Sequence, residues 1–158
     1  RNPYDRILSE YYCEWGGIGK KNITHTKEQF NQFLIYQIKH RSISGEHYTE
    51  QYKYLDKHVK INIIRFENLN AELDLLFNKY NIPINVFEYR KQNTKESKNR
   101  ELKFTKYDFS KELILTINDI YDKDFEEFNY EKIPSGIIKI KKNNLDLDYK
   151  PVTIHFKL

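Results

Sequence analysis

The first residues of the chain carry the side chains whose types and spacing are best suited to chemistry, namely Arg1, Pro3, Arg6 and Ser9. A guanidinium matches two phosphate oxygens at once. A helix that begins just after Pro3 directs free N–H groups and the positive end of its dipole at the same anion. Ser9 stands about two helical turns further along and adds a hydroxyl donor if the anion lies beside the helix. The pattern predicts a phosphate site; the alternative is that Arg1 and Arg6 are solvated surface charges.

Other side chains with chemical potential are scattered. Of the five histidines, His47 is the candidate for contact with a substrate hydroxyl, because imidazole accepts a proton near neutral pH; the alternative is that His47 is a packing residue. No residue is assigned as the catalytic base. No His/Cys cluster has the spacing of a metal site, so no metal is predicted, and Cys13 lacks a partner nearby in sequence that would mark a nucleophile. Residues 16–21 are glycine-rich but lack the spacing of a P-loop, which predicts a turn.

Composition and charge exclude several classes of protein. The chain has 158 residues, the size of one domain, and its 39% hydrophobic and 15% aromatic content is too high for a disordered segment. The net charge of +4 comes from basic and acidic residues that nearly cancel, which does not indicate nucleic-acid binding. No apolar run has the length of a membrane span. The single cysteine excludes an internal disulfide and favours a reducing compartment such as the cytoplasm.

Hydrophobic periodicity predicts the elements that position these residues. Helices are predicted over residues 4–12, 27–40, 69–80 and 109–128. Thr26 and Gln29 form a capping box before the second, and Ser110 or Asp108 caps the last. Residues 61–66 are rich in β-branched side chains and predict a strand, and alternation over 138–156 predicts a terminal hairpin. The order of helices and strands predicts an α/β domain.

Four segments resemble the sulfotransferases that use 3′-phosphoadenosine-5′-phosphosulfate (PAPS). Residues 1–12 resemble the motif in which an Arg and a Ser eight residues later hold the 3′-phosphate of the nucleotide. Residues 47–51 are similar to a His-aromatic-x-Pro-Gln segment of the carbohydrate, or Golgi-type, branch, with Glu50 where proline is usual. Residues 65–69 are similar to an R-x-E-N-L passage, and residues 121–130 to a C-terminal helix signature. The segments follow the order of the family, and residues 131–158 match nothing in it.

The resemblance implies an incomplete P-loop-NTPase-like sulfotransferase domain, with three main helices around a few parallel strands. Residues 1–130 would be its C-terminal part and residues 131–158 a β-rich extension. PAPS would be the co-substrate without a metal, and the acceptor a hydroxyl, on a carbohydrate by analogy with the branch. The residues implied in binding the nucleotide are Arg1, Ser9, Arg90, Lys91, Asn93 and Thr94.

The resemblance also leaves alternatives open. The 5′-phosphosulfate loop and the catalytic base of the family are not found, so we expect an N-terminal half to precede this chain and the chain alone to be inactive. A P-loop-like kinase fragment and a non-catalytic interaction domain that keeps the fold are the competing interpretations. The Golgi lumen stays open as a location if an N-terminal anchor has been removed. The acceptor and the oligomeric state are not predicted.

Overall fold

A computed structural model describes residues 1–18, 24–43, 45–56, 58–85 and 104–134. Its α-helices are α1 (Pro3–Tyr11), α2 (Lys27–Lys39), α3 (Leu69–Lys79), α4 (Lys111–Ile120) and α5 (Asp122–Glu127). Short 3-10 helices span Gly45–Tyr48, Gln51–Tyr54, Phe66–Asn68 and Lys106–Asp108. Within the described residues, no helix has both the length and the apolar character needed to cross a membrane.

Helix starts follow the capping residues that the sequence indicates. The Asn2 side chain accepts from the Tyr4 N–H, and Pro3 occupies the first turn of α1. Thr26 and Gln29 form both bonds of the predicted capping box. The Ser110 hydroxyl accepts from the N–H of Leu113 at 3.1 Å. The predicted helix starts are therefore confirmed for α2 and α4.

Aromatic side chains from α1 and α2 form the centre of the core. The ring of Tyr11 meets the ring of Phe30 edge-on, with centroids 4.7 Å apart. Phe30 in turn stacks on Phe104 at 4.4 Å. α2 packs along α4, and buried residues of α1, α2, α4 and α5 join one apolar cluster. This core fixes the position of α1, which carries Arg6 and Ser9.

The predicted α/β architecture is wrong. The described residues form α-helices and 3-10 turns, with no strand among them. Residues 61–65 have no regular secondary structure and form no strand pair within the described residues, and Ile61 and Ile63 are 42% and 51% exposed. A strand needs a neighbour to share its backbone hydrogen bonds, so a β-branched run does not form a sheet by itself. The predicted hairpin over 138–156 lies outside the described residues.

The last predicted helix is divided into two. α4 ends at Ile120 and α5 begins at Asp122, with Tyr121 between them at φ −100° and ψ 22°. The Tyr121 hydroxyl donates to the carbonyl of Tyr48 at 2.7 Å. Asn129 follows α5 at φ 51°, a left-handed conformation that asparagine tolerates well. The reversal at Asn129 directs Tyr130 back toward the start of α1.

Candidate functional site

The backbone of Arg1 is held by a single side chain. The Gln51 amide nitrogen donates to the Arg1 carbonyl at 2.8 Å, and the Arg1 nitrogen donates to Gln51 Oε1 at 3.2 Å. The guanidinium carbon of Arg1 lies 4.2 Å from the centre of the Phe66 ring, a cation–π distance. No carboxylate in the described part of the chain pairs with this guanidinium. Its N–H groups are therefore available to an anion.

Gln51 is itself positioned by a buried carboxylate on α5. Asp124 is 0% exposed, and its two oxygens accept from the backbone N–H groups of Gln51 and Tyr52, each at 2.8 Å. These N–H groups open the 3-10 helix Gln51–Tyr54 and have no partner within it. Asp124 therefore fixes the turn that holds Arg1.

A second carboxylate fixes the residue next to Arg1. Glu67 accepts from the N–H of Asn2 at 2.8 Å and from the hydroxyl of Tyr130 at 2.9 Å. Burial acts to raise the pKa of Glu67, but its hydrogen bonds, led by the one from Asn2, outweigh burial and lower the pKa below its ordinary value. Glu67 is thus charged at neutral pH and ties the start of α1 to the chain after α5.

Arg1 borders a cleft of about 430 Å³. Its walls include Arg1, Gln51, Ile63, Arg65 and Tyr130. The Arg65 guanidinium donates to the carbonyl of Phe128 at 2.9 Å and lies 5.3 Å from the centre of the Tyr130 ring. Arg65 therefore braces one wall, while the guanidinium of Arg1 keeps its hydrogen-bonding capacity.

The family of this chain is shown by its match to a family model. The model described as the Sulfotransferase family matches residues 1–131, which is more than half of the chain. The chain belongs to the sulfotransferase family. Neither the curated proteins nor the solved structures give a match. The predicted family is confirmed, and a carbohydrate-type branch is consistent with it.

The four segments that resemble sulfotransferases converge in the structure. Gln51 of the second segment bonds to Arg1 of the first, and Glu67 of the third bonds to Asn2. Asp124 and Tyr130 of the fourth bond to the second and third. In this sulfotransferase, the segments after the first therefore position the start of α1.

Arg6, considered above as a surface charge, instead holds the second segment. Its guanidinium donates to the carbonyl of Thr49 at 2.5 Å and to that of His47 at 3.0 Å. The His47 imidazole lies against α1, with Nδ1 at 3.0 Å from a carboxylate oxygen of Glu10. His47 is thus placed beside the helix, and its contact with an acceptor stays a prediction.

The remaining predicted nucleotide residues divide into two groups. Ser9 lies near the end of α1, partly exposed, and its hydroxyl bonds to none of the described residues. An anion touching both Arg1 and Ser9 must lie along α1, because Ser9 stands roughly 10 Å along the helix axis from Asn2. The second group, Arg90, Lys91, Asn93 and Thr94, falls outside the described residues.

Glu50, which stands where proline is usual in the resembling branch, has a local role. It is 4% exposed and contacts Arg41 Nη2 at 2.9 Å and Lys53 Nζ at 2.8 Å. Burial acts to raise the pKa of Glu50, but the hydrogen bonds and charges of these two cations lower it to about 2. The carboxylate therefore links the end of α2 to the turn that carries Gln51.

Sequence spacing did not reveal one cluster of side chains. Glu10, Cys13 and His47 place a carboxylate oxygen, the thiol sulfur and an imidazole nitrogen within 4.8 Å of one another. His47 is 34 positions from Cys13 in sequence, so only the folded chain brings them together. The sole local signal was the three-residue separation of Glu10 and Cys13, which places Glu10 in the last turn of α1 and Cys13 just after the helix.

Proposed function

We propose that this sulfotransferase transfers the sulfuryl group of PAPS to a hydroxyl of a carbohydrate acceptor, and that the chain supplies the half of the site that binds the 3′-phosphate. The observation that carries this proposal is the environment of Arg1. Its backbone is held by Gln51 and its neighbour by Glu67, yet its guanidinium meets only the Phe66 ring among the described residues. A fixed cation without an acid partner favours a phosphate ligand.

The start of α1 contributes less to such a ligand than its sequence suggests. Pro3 has no N–H, the N–H of Tyr4 is taken by the Asn2 side chain, and that of Asn2 by Glu67. Most donors of the first turn are thus occupied. Binding of the 3′-phosphate would rest on the Arg1 side chain and the Ser9 hydroxyl, with the helix dipole as a smaller contribution.

The proposed reaction is a group transfer in which each partner has a defined part. The acceptor oxygen attacks sulfur, the bond from sulfur to the 5′-phosphate oxygen breaks, and 3′,5′-adenosine bisphosphate leaves. The acceptor hydroxyl gives its proton to a base, which we place in the preceding half together with the 5′-phosphosulfate loop. The residues of this chain would hold the nucleotide in place, and such positioning supplies much of the rate in related phosphoryl transfers.

The test compares two nucleotides that differ only in the 3′-phosphate. In the full-length protein, calorimetry should find 3′,5′-adenosine bisphosphate bound more tightly than adenosine 5′-monophosphate. Arg1→Ala should weaken the bisphosphate by roughly 10- to 100-fold, since hydrogen bonds to charged groups contribute about 1.5–3 kcal/mol. The same substitution should leave the affinity for adenosine 5′-monophosphate almost unchanged. Ser9→Ala should act in the same direction, by about tenfold or less.

Two control variants separate this effect from general changes in charge or hydroxyl content. Lys60→Ala removes an exposed cation, and Ser42→Ala removes an exposed hydroxyl, both outside α1. Neither should change binding of either nucleotide. If Arg1→Ala and Ser9→Ala weakened both nucleotides equally, or neither, the 3′-phosphate assignment would be wrong. Sulfation of a glycan by this chain alone would refute the half-site part of the proposal.

A further inference from the structure

Three side chains of types that bind transition metals meet where the end of α1 faces the turn Gly45–Tyr48. Glu10 offers a carboxylate, Cys13 a thiol and His47 an imidazole, with their donor atoms within 4.8 Å of one another. Sulfur, nitrogen and oxygen donors in one cluster suit Zn²⁺, whose sites commonly mix them. From this geometry we propose that Glu10, Cys13 and His47 form a Zn²⁺ site.

The distances are close to those that the ion requires. Zn²⁺ lies about 2.3 Å from sulfur and about 2.0–2.2 Å from nitrogen or oxygen, so tetrahedral ligands stand roughly 3.3–3.8 Å apart. The Glu10 oxygen and His47 Nδ1 are 3.0 Å apart, and no pair of donor atoms exceeds 4.8 Å. The site is complete if the distance between the Glu10 oxygen and His47 Nδ1 increases by a few tenths of an ångström and the longest distance between two donor atoms decreases by about 1 Å. Side-chain rotation is sufficient, because all three residues are only partly buried.

The backbone around the cluster is fixed on both sides. Arg6 holds the carbonyl of His47, so the imidazole arises from an anchored turn. On the other side, the N–H of Gly17 donates to the carbonyl of Cys13 at 3.1 Å, and the N–H of Ile18 donates to that of Tyr11 at 2.8 Å. The ligands therefore come from two segments that are already held against each other.

Gly16 shows how closely the turn after α1 packs on this cluster. A Cβ atom at Gly16 would lie 2.8 Å from the His47 ring and 3.0 Å from the Glu10 carboxylate. The hydroxyl of Tyr48 donates to the Gly16 carbonyl at 2.9 Å and fixes the turn there. The turn thus covers one side of the cluster. With three protein ligands, a tetrahedral ion would take water or another donor as its fourth ligand.

The charges of the ligands balance the ion. A carboxylate and a thiolate carry two negative charges, which neutralise Zn²⁺, and the imidazole binds as the neutral base. The bound ion would link the end of α1 to the turn Gly45–Tyr48, which precedes Gln51. This site needs no nucleotide, so its test does not depend on the function proposed above.

The test uses Co²⁺ as a spectroscopic substitute for Zn²⁺ in the full 158-residue chain. Cys13 is the only cysteine, so a thiolate-to-cobalt charge-transfer band identifies this sulfur as a ligand. We expect one Co²⁺ per chain, displaced by Zn²⁺. Cys13→Ser should abolish the band, while His47→Ala and Glu10→Gln should each weaken binding by at least about tenfold. His58→Ala, which removes an exposed histidine elsewhere, should leave binding unchanged.

A second measurement keeps the result clear if a variant folds poorly. In the unsubstituted chain, Zn²⁺ should slow alkylation of Cys13 by iodoacetamide at least about tenfold, because only the free thiolate reacts. Circular dichroism confirms the helical content of each variant. Absence of the cobalt band, or a band that survives both His47→Ala and Glu10→Gln in folded protein, would overturn the proposal. Alkylation at an equal rate with and without Zn²⁺ would do the same.

Discussion

The most informative perturbation of the fold is Asp124→Asn. The two Asp124 oxygens accept from the N–H groups of Gln51 and Tyr52, each at 2.8 Å, and the side chain is fully buried. Asparagine keeps one acceptor and turns an NH₂ group toward the other N–H. One charge-assisted hydrogen bond is lost, and one buried donor stays unsatisfied. The N–H left without an acceptor lowers the free energy of unfolding by about 1–3 kcal/mol, and the loss of the charge from the remaining hydrogen bond lowers it by about 1 kcal/mol more, so we expect a total of about 2–4 kcal/mol.

Urea unfolding at neutral pH measures this change. For a chain of this size it corresponds to a decrease in Tm of roughly 5–15 °C. The matched control is Asp119→Asn, which makes the same exchange at an exposed position on α4 and should change stability by about 0.5 kcal/mol or less. If Asp124→Asn were as stable as the control, the carboxylate would not hold the Gln51 turn. The link from α5 to Arg1 would then have to be abandoned.

Two further variants test the contacts of the second segment. Glu50→Gln should lower stability at neutral pH, because the folded pKa of Glu50 is about 2 against an ordinary 4.5. A depressed carboxyl pKa stabilises the fold above the ordinary value and ceases to do so as the pH falls through about 2. Urea unfolding at several pH values should therefore show the difference from wild type shrinking below pH 4.5; a constant difference would contradict it. Arg6→Lys should lower the free energy of unfolding by about 1–2 kcal/mol, since one ammonium cannot replace a fork that reaches two carbonyls; unchanged stability in the same assay would contradict that geometry.

Local signals predicted the helices well. The starts of α2 and α4 depend on Thr26 and Ser110, whose side chains bond to N–H groups three residues later. Such contacts involve neighbours in sequence, so residue order alone reveals them. The same holds for the left-handed residue Asn129, which was not predicted.

The predictions that the structure contradicts share a different physical origin. Residues 61–66 have the composition of a strand, but a strand exists only with a partner, and composition does not name one. The continuous period over 109–128 concealed the break at Tyr121, whose hydroxyl bonds to the distant Tyr48 carbonyl. The cluster of Glu10, Cys13 and His47, which the sequence did not predict, likewise depends on His47, 34 residues from Cys13. Each error concerns a contact between residues that are remote in sequence.

The arrangement around Arg1 explains why a binding motif depends on residues that do not touch the ligand. Arg1 needs its guanidinium free for an anion, so other groups must hold its main chain. Gln51 and Glu67 do this through backbone atoms of Arg1 and Asn2. A salt bridge from an acid to the guanidinium would neutralise its charge, whereas a hydrogen bond to a main-chain group of the same residue leaves that charge intact. Carboxylates such as Glu67 and the buried Asp124 can therefore order this site without lowering its affinity for phosphate, because they bond to N–H groups and not to the guanidinium.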